Sequence, residues 1–429
     1  MTSPILIIGG GMAGLTCATY LHRAGRAVRV LEASDGVGGR VRTDLTAEGF
    51  RLDRGFQVLL TNYPETKRLL DYDALNLRKF RSGAVIRLEN GEQTTLQNPW
   101  QRPWAAFSAL TAPIGSFADK LRILSLVRHV LKHGPEELLA RPGTDTLTFL
   151  RRYGWSENMI DRFFRPFFGG VFLDRELSTA SNFFEFVFQQ FVTGDAVVPA
   201  LGMQQIPEQL AARLPAGTVR LNTAVTSLEG RTVRLASGET LTGRAVVLAT
   251  DGPAAMALLA GAGVRLPAPA PAGRPETGRP TTCTYFGTDG GHSPGRADRL
   301  LRLNAAPRPA LAHNVAFPAD VSAAYAPAGQ HLVSVSTHGA HGLSESELTE
   351  NLRAELAAWF GPAARQWRHL RTYQIAYGLP VYAAGEPAGR SRQVAEGLYR
   401  AGDWSAYPSL NAAMATGREV AELLVREDS

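Results

Sequence analysis

Ile5-Leu6-Ile7-Ile8-Gly9-Gly10-Gly11-Met12-Ala13-Gly14 lies near the start of the 429-residue chain and decides its fold. Four apolar residues of strand length run into a glycine turn, and a helix-compatible stretch follows. The next apolar strand, Ala27-Val28-Arg29-Val30-Leu31, ends on the acid Glu32. Each piece meets a demand of a bound dinucleotide. Gly9 allows the tight turn out of the strand, Gly11 lets the backbone approach a pyrophosphate, and Gly14 lets the helix pack against the sheet. Met12 and Ala13 then open a helix whose N–H groups and dipole favour phosphate. Glu32, followed by Ala33, accepts hydrogen bonds from ribose hydroxyls and repels a 2′-phosphate. The spacing therefore predicts a βαβ unit for FAD or NAD and disfavours NADP.

Gly36-Val37-Gly38-Gly39-Arg40-Val41-Arg42-Thr43 comes just after that acid. It resembles the signature of the flavin amine oxidase superfamily, which includes monoamine and polyamine oxidases, protoporphyrinogen oxidase and the phytoene desaturases. The resemblance chooses FAD. It implies that Gly38, Gly39 and Arg40 lie at the pyrophosphate and the flavin end. Leu398-Tyr399-Arg400-Ala401-Gly402-Asp403-Trp404 and Ser409-Leu410-Asn411-Ala412-Ala413-Met414-Ala415-Thr416-Gly417-Arg418 look like the C-terminal flavin motif of the same family. That match implies Gly402 at the cofactor and Asp403 on a ribityl hydroxyl. Ser409, Leu410, Asn411 and Ala412 would open a helix aimed at the flavin O2 region, where negative charge collects on reduction.

Three internal segments extend the likeness. The strand Val219–Leu228 resembles the one whose valine, here Val225, meets adenine through its backbone. Ala245-Val246-Val247-Leu248-Ala249-Thr250 resembles the strand that returns to the cofactor, with Ala249 and Thr250 at its end. Leu52-Asp53-Arg54-Gly55-Phe56-Gln57 corresponds to a segment passing the flavin ring. It assigns Gly55 and Phe56 to the cofactor and Gln57 to the substrate. Val198–Gln204 resembles a desaturase Pro-x-Gly-Gly-Met segment in which Leu201 replaces one glycine.

The expected fold class is α/β. A discontinuous Rossmann-like FAD-binding domain (1–75, 200–262 and 393–429) joins an α+β substrate domain (76–199 and 263–392) with a mixed sheet and a helical insertion. Asn90-Gly91 between alternating strands predicts a hairpin at 84–96, and helices are expected over roughly 102–192. A Pro/Ala/Gly loop at about 261–280 precedes strands at Thr281–Gly287, Leu311–Phe317, Leu332–Thr337 and Arg368–Ala376, with a helix at Ser344–Phe360.

Ten of the 19 phenylalanines lie between 163 and 191. Such a cluster builds either a helical core or the wall of an apolar substrate tunnel. A third reading is peripheral membrane contact, through Trp100, Trp104, Phe107 and the basic–apolar stretch Lys120–Arg128. Amine oxidases of the family usually carry a lysine in the substrate-domain strand, matched here by Thr281-Thr282-Cys283-Thr284-Tyr285-Phe286. No lysine follows Lys132. They also cage the substrate nitrogen with two aromatic rings, and only Tyr377 is a candidate. Tyr285 and Tyr377 are the remaining substrate candidates.

These departures favour hydride transfer from an apolar substrate C–H to flavin N5, desaturase-like, with oxygen or a quinone as acceptor. The alternatives are an amine oxidase releasing hydrogen peroxide and a reduced-flavin double-bond isomerase. No catalytic base is assigned.

Composition narrows the class. The net charge of +6 is scattered rather than gathered into a stripe, which argues against nucleic-acid binding. The two cysteines, Cys17 and Cys283, exclude a disulfide framework. Neither lies near the C-terminal motif, so the FAD is expected to be non-covalent. The nine histidines show no metal-ligand spacing. No run reaches spanning length, and residues 5–8 read as a strand rather than a signal peptide, so the expectation is a cytoplasmic protein, with membrane association as the variant.

Overall fold

A computed structural model describes residues 3–97, 113–266, 277–290, 293–306, 310–339, 341–386 and 390–427. Trp100, Trp104 and Phe107 lie outside the described residues, as does most of the proline-rich loop.

The first sheet has six strands in the order Val219–Arg220, Val28–Leu31, Ile5–Ile8, Val246–Leu248, Leu398–Arg400, Gln393–Ala395. All neighbours are parallel except the final pair. Both faces are covered, which is why the central strands are apolar throughout. Ile5, Ile7, Val30 and Val247 face the first helix, Met12–Arg23, and the C-terminal helix, Leu410–Arg426. Leu6, Ile8, Leu31 and Val246 face a three-stranded antiparallel sheet and the helix Gly252–Gly261. Two glycines set the helix spacing. A Cβ on Gly14 would stand 2.0 Å from the Gly9 carbonyl oxygen, and one on Gly417 would stand 2.3 Å from that of Ala13.

The strand expected over Val219–Leu228 is broken in two. Asn222 adopts φ 50°, and its N–H and that of Thr223 donate to the carbonyls of Ser34 and Glu32. The chain thus folds over the Glu32 turn, and Val225 begins a strand of the small antiparallel sheet.

The second sheet has seven strands, ordered Arg368–Pro380, Gly278–Asp289, Gln330–His338, Asn314–Ala316, Leu301–Asn304, Gly83–Arg87, Gln93–Gln97. Only the pairing of Leu301–Asn304 with Gly83–Arg87 is parallel. The sequence reading did not anticipate Leu301–Asn304, and the expected strand Leu311–Phe317 is shorter. One face packs on the helix Glu345–Phe360 through Val315, Val333, Val335, Leu348 and Leu352. Ser344 caps that helix in a reciprocal pair with Glu347.

Helices follow from Phe117 to Thr193. The chain opens a π turn at Ile160–Phe164, immediately before Pro166, which has no N–H for the preceding turn. No described helix is long and apolar enough to cross a membrane.

Asp53 joins the parts. Its carboxylate accepts Thr43 Oγ1 at 2.6 Å, Met203 N at 3.0 Å and Tyr325 Oη at 2.9 Å, and its carbonyl accepts Tyr285 Oη at 2.8 Å. Burial outweighs these donors and raises its carboxyl from 3.8 to about 6. The folded state therefore holds this proton more tightly than the unfolded chain. The associated stability is fully present below pH 4 and is lost as pH rises through 6, about 3 kcal/mol in all. Asp53→Asn removes this component. Urea unfolding at pH 4, 5, 6 and 7 is expected to show the parent losing more stability over that window than the variant, and parallel curves would refute the assignment.

Candidate functional site

A cavity of ≈ 1400 Å³ runs between the two sheets. This exceeds the roughly 300–1,000 Å³ of a pocket for one small ligand. It has two arms of different chemistry.

The first arm is lined by the residues of the expected dinucleotide motif. Gly9, Gly11, Met12, Ala13, Glu32, Ala33, Gly38, Gly39, Arg40, Val225, Ala249 and Thr250 all border it. Gly55, Phe56, Gln57, Gly402, Asp403, Ser409 and Leu410 border the junction with the second arm. Sequence separation here reaches four hundred residues, and the parallel sheet removes it by placing Ile5–Ile8, Val246–Leu248 and Leu398–Arg400 side by side.

The residues present fit a dinucleotide. A Cβ on Gly11 would meet nothing within 4 Å, so the backbone there faces open space. Gly9 turns at φ 108°, where a Cβ would strike the Ala249 carbonyl oxygen at 2.8 Å. The first helix has no side-chain cap and no acid in its first turn, leaving its positive end to a ligand. Glu32 is fixed at the cavity wall by Gly10 N at 2.6 Å, Ser34 N at 2.8 Å and Ser34 Oγ at 2.7 Å.

Arg40 crosses the junction. Its guanidinium donates to Asp403 Oδ1 at 2.7 Å and to the Gly378 carbonyl at 2.9 Å. Burial disfavours the charge, but the Asp403 carboxylate outweighs burial and holds the guanidinium above its ordinary value. Gln57 donates to the Arg40 carbonyl at 2.8 Å. Asp403 Oδ1 also takes Trp404 N at 3.0 Å. Arg42, the other arginine of the motif, instead pairs with Asp35 at 2.7 Å.

Five expected site residues do not border the cavity. Gly14 is consumed in the helix–strand contact. Asn411 turns inward, accepting Glu65 N and donating to Tyr407 Oη at 2.8 Å. Ala412 gives its N–H to the Ser409 hydroxyl, so the C-terminal helix is capped from within. Tyr285 is corrected as a substrate residue: it shares the strand face of Thr281 and Cys283 but lies two residues beyond Cys283, outside the cavity lining, where it is buried with its hydroxyl donating to the Asp53 carbonyl. Tyr377 lies beneath the Arg40 guanidinium, 5.6 Å from ring centroid to carbon, and over Gly278.

The second arm is apolar. Phe163 and Phe167 (with Gly170 and Val171) face it at helical spacing, as do Phe183, Val187, Phe188 and Phe191. Phe164, Phe172, Phe184 and Phe186 point the other way into the core, so the phenylalanine cluster serves both as core and as wall. Opposite stands the second sheet, presenting Ala84, Leu301, Leu303, Asn314, Ser336, His338, Cys283, Thr281 and Ile375. The sequence reading did not identify these sheet residues as lining. Alternation within each strand separates its two faces, but which face meets a cavity depends on the strands beside it. Cys283 is buried, and burial pushes its thiol up to about 11. Among the described residues no group of three or more His, Cys, Asp or Glu side chains could hold a metal ion.

Comparison with known proteins gives the same lineage. The chain is 30% identical to putrescine oxidase of Kocuria rosea over 250 residues, 54% of this chain and 49% of that protein. It is 32% identical to phytoene desaturase of Cercospora nicotianae over 99 residues, 22% of this chain and 16% of that one. These alignments span half the length of the relatives or less. A solved structure of putrescine oxidase bound to putrescine shares the fold, with a TM-score of 0.71 at 19% identity over 99% of both chains. The family model for flavin containing amine oxidoreductases matches residues 12–425, and the chain belongs to that family.

Proposed function

We propose that the protein holds FAD non-covalently in the first arm and oxidises a C–H bond of an apolar substrate lodged in the second. The observation that carries this is the division of charge along the cavity. Its described acidic lining residues, Glu32, Asp251 and Asp403, all belong to the cofactor end. A cationic amine in the phenylalanine arm would meet no carboxylate, and a desolvated, unpaired cation is costly. The strand Gly278–Asp289 turns Thr281 and Cys283 to this space, with no lysine in it.

FAD, when bound, supplies a two-electron acceptor for a substrate hydride. The chain does the rest. The N–H groups opening the first helix and the Gly38–Gly39 backbone hold the pyrophosphate, and Glu32 holds the ribose. The positive end of the C-terminal helix, beginning at Leu410, stabilises negative charge beside it. Arg40 fastens Asp403 of the cofactor domain to Gly378 of the substrate domain. Phenylalanine rings exclude water and orient the substrate. Neither cysteine adjoins the C-terminal helix motif in sequence, and the Cys283 thiol is protonated at neutral pH, consistent with FAD held without a thioether. The match to putrescine oxidase supports a second reading, oxidation of an amine with oxygen as acceptor.

The substrate's way in is assigned to the helix Phe117–Leu131. Phe117 and Leu121 are exposed there, while Leu121, Leu124 and Val127 border the cavity. Lys120, Arg128 and Lys132 suit an anionic membrane surface.

Three measurements test these statements. Anaerobic mixing with hydrocarbon, porphyrin and amine panels is expected to bleach the flavin band with a member of the first two. Bleaching by amines alone, with peroxide release in air, would establish the second reading instead. Arg40→Met is expected to weaken FAD retention at least tenfold, because Asp403 loses a charge-assisted partner; unchanged flavin content after gel filtration would refute the fastening role. Phe117→Ser with Leu121→Ser is expected to abolish co-sedimentation with phosphatidylglycerol vesicles, and an absence of binding by the parent would end the membrane assignment.

A further inference from the structure

The second arm is not uniformly apolar. Asn314 and Ser336 are direct partners across antiparallel strands, and His338 follows two residues on, so all three share one face. That face borders the cavity, and all three residues line it. Leu301 and Leu303 lie beyond them on one side, and Cys283 and Thr281 on the other.

The band has an unmet hydrogen-bonding need. Asn314 is 5% exposed, and its amide oxygen has no partner among the described residues. An unsatisfied buried amide oxygen costs on the order of 1–3 kcal/mol, so such a group calls for a ligand or a role. Close by, the ring of His338 stacks on that of His313, with centroids 3.8 Å apart and planes 23° from parallel. Both ring nitrogens of His313 are buried without partners. Burial, reinforced by His338 and Arg175, pushes His313 well below its ordinary value, so its ring is neutral. Gly170 lets the helix Arg165–Phe172 come down on this pair; a Cβ there would stand 3.0 Å from His313 Nε2. The site is thus polar, enclosed and free of carboxylates among its described lining.

We infer that the Asn314–Ser336–His338 band receives a neutral hydroxyl group carried by an otherwise apolar substrate. A hydroxyl both donates and accepts, so it can meet the amide oxygen and a second polar atom together. The register fixes how far this group lies from the reacting end. His338 pairs with Thr281, and Thr281 with Ile375. Ile375 Cδ1 lies 2.8 Å from the Cβ position of Gly55, at the cofactor junction. Two strand spacings separate His338 from Ile375, about 10 Å. The substrate class is therefore an extended or multi-ring hydrocarbon with a hydroxyl about 10 Å from the oxidised carbon. This assignment rests on the apolar-substrate reading and adds to it the position of one polar group.

The test uses flavin-loaded protein and two probes of one shape, biphenyl and 4-phenylphenol, titrated by calorimetry and by the shift of the bound flavin spectrum. The parent is expected to bind 4-phenylphenol roughly five- to tenfold tighter, the value of one well-made hydrogen bond. Asn314→Leu and His338→Leu are each expected to remove that preference while leaving biphenyl affinity unchanged. His338→Gln, which keeps a polar tip, is expected to retain it, and flavin content reports whether each variant is folded. Equal affinity of the parent for both probes, or a preference that survives both leucine variants, would overturn the polar band and leave the apolar cavity standing. Failure of the parent to bind either probe would overturn both.

Discussion

One guanidinium ties the Gly-Gly turn to the end of the seven-stranded sheet and to the loop before the C-terminal helix. Arg40 leaves the Gly-Gly turn, reaches Asp403 at 2.7 Å, and donates its other arm to the Gly378 carbonyl in the strand Arg368–Pro380. The guanidinium is partly buried, and its carboxylate partner Asp403 is buried, so the pairing and hydrogen bonds offset the desolvation of both. The pairing fixes three segments at once: the turn after Glu32, the far end of the large sheet, and the loop before the C-terminal helix. The junction of the two cavity arms lies at that point. The geometry of that junction is therefore set by an electrostatic contact between residues 363 apart in sequence.

Around that clasp, backbone proximity does most of the shaping. Gly14 and Gly417 let two helices and a strand approach to distances that no side chain would permit. Gly9 and Gly11 divide the roles of a single turn: one is pressed against the Ala249 carbonyl, the other is open to the cavity. Gly170 brings the phenylalanine-bearing helix down on the histidine pair. In each case the absent Cβ leaves room for a close approach of backbone, ligand or ring.

The second arm has one wall of helix and one of sheet, and the two contribute differently. The helices supply rings at i, i+4 spacing, which exclude water over a long path and carry little directional information. The sheet supplies a register, so each lining side chain sits at a fixed number of strand spacings from the cofactor junction.

Much of this was legible beforehand, because the cofactor end is built from local signals. A strand, a glycine turn, a helix and an acid about 20 residues on report the same unit wherever they occur, and Arg40 and Asp403 each stand in short recognisable motifs. What failed was reach, orientation and continuity. Tyr285 is on the right strand and the right face but lies too far along it to reach the cavity. Asn411 follows the right helix start but turns inward to Glu65. The Val219 strand is interrupted because Asn222 adopts a left-handed conformation and bends the chain to the Glu32 turn. The sequence by itself determined the dinucleotide grammar and the apolar character of the second arm, since both depend on residue type and close spacing. Only the tertiary structure decided which phenylalanines face the cavity, which strand face lines it, and that Asn314, Ser336 and His338 stand together there. Those outcomes depend on which strands become neighbours, a choice made by packing over the whole molecule.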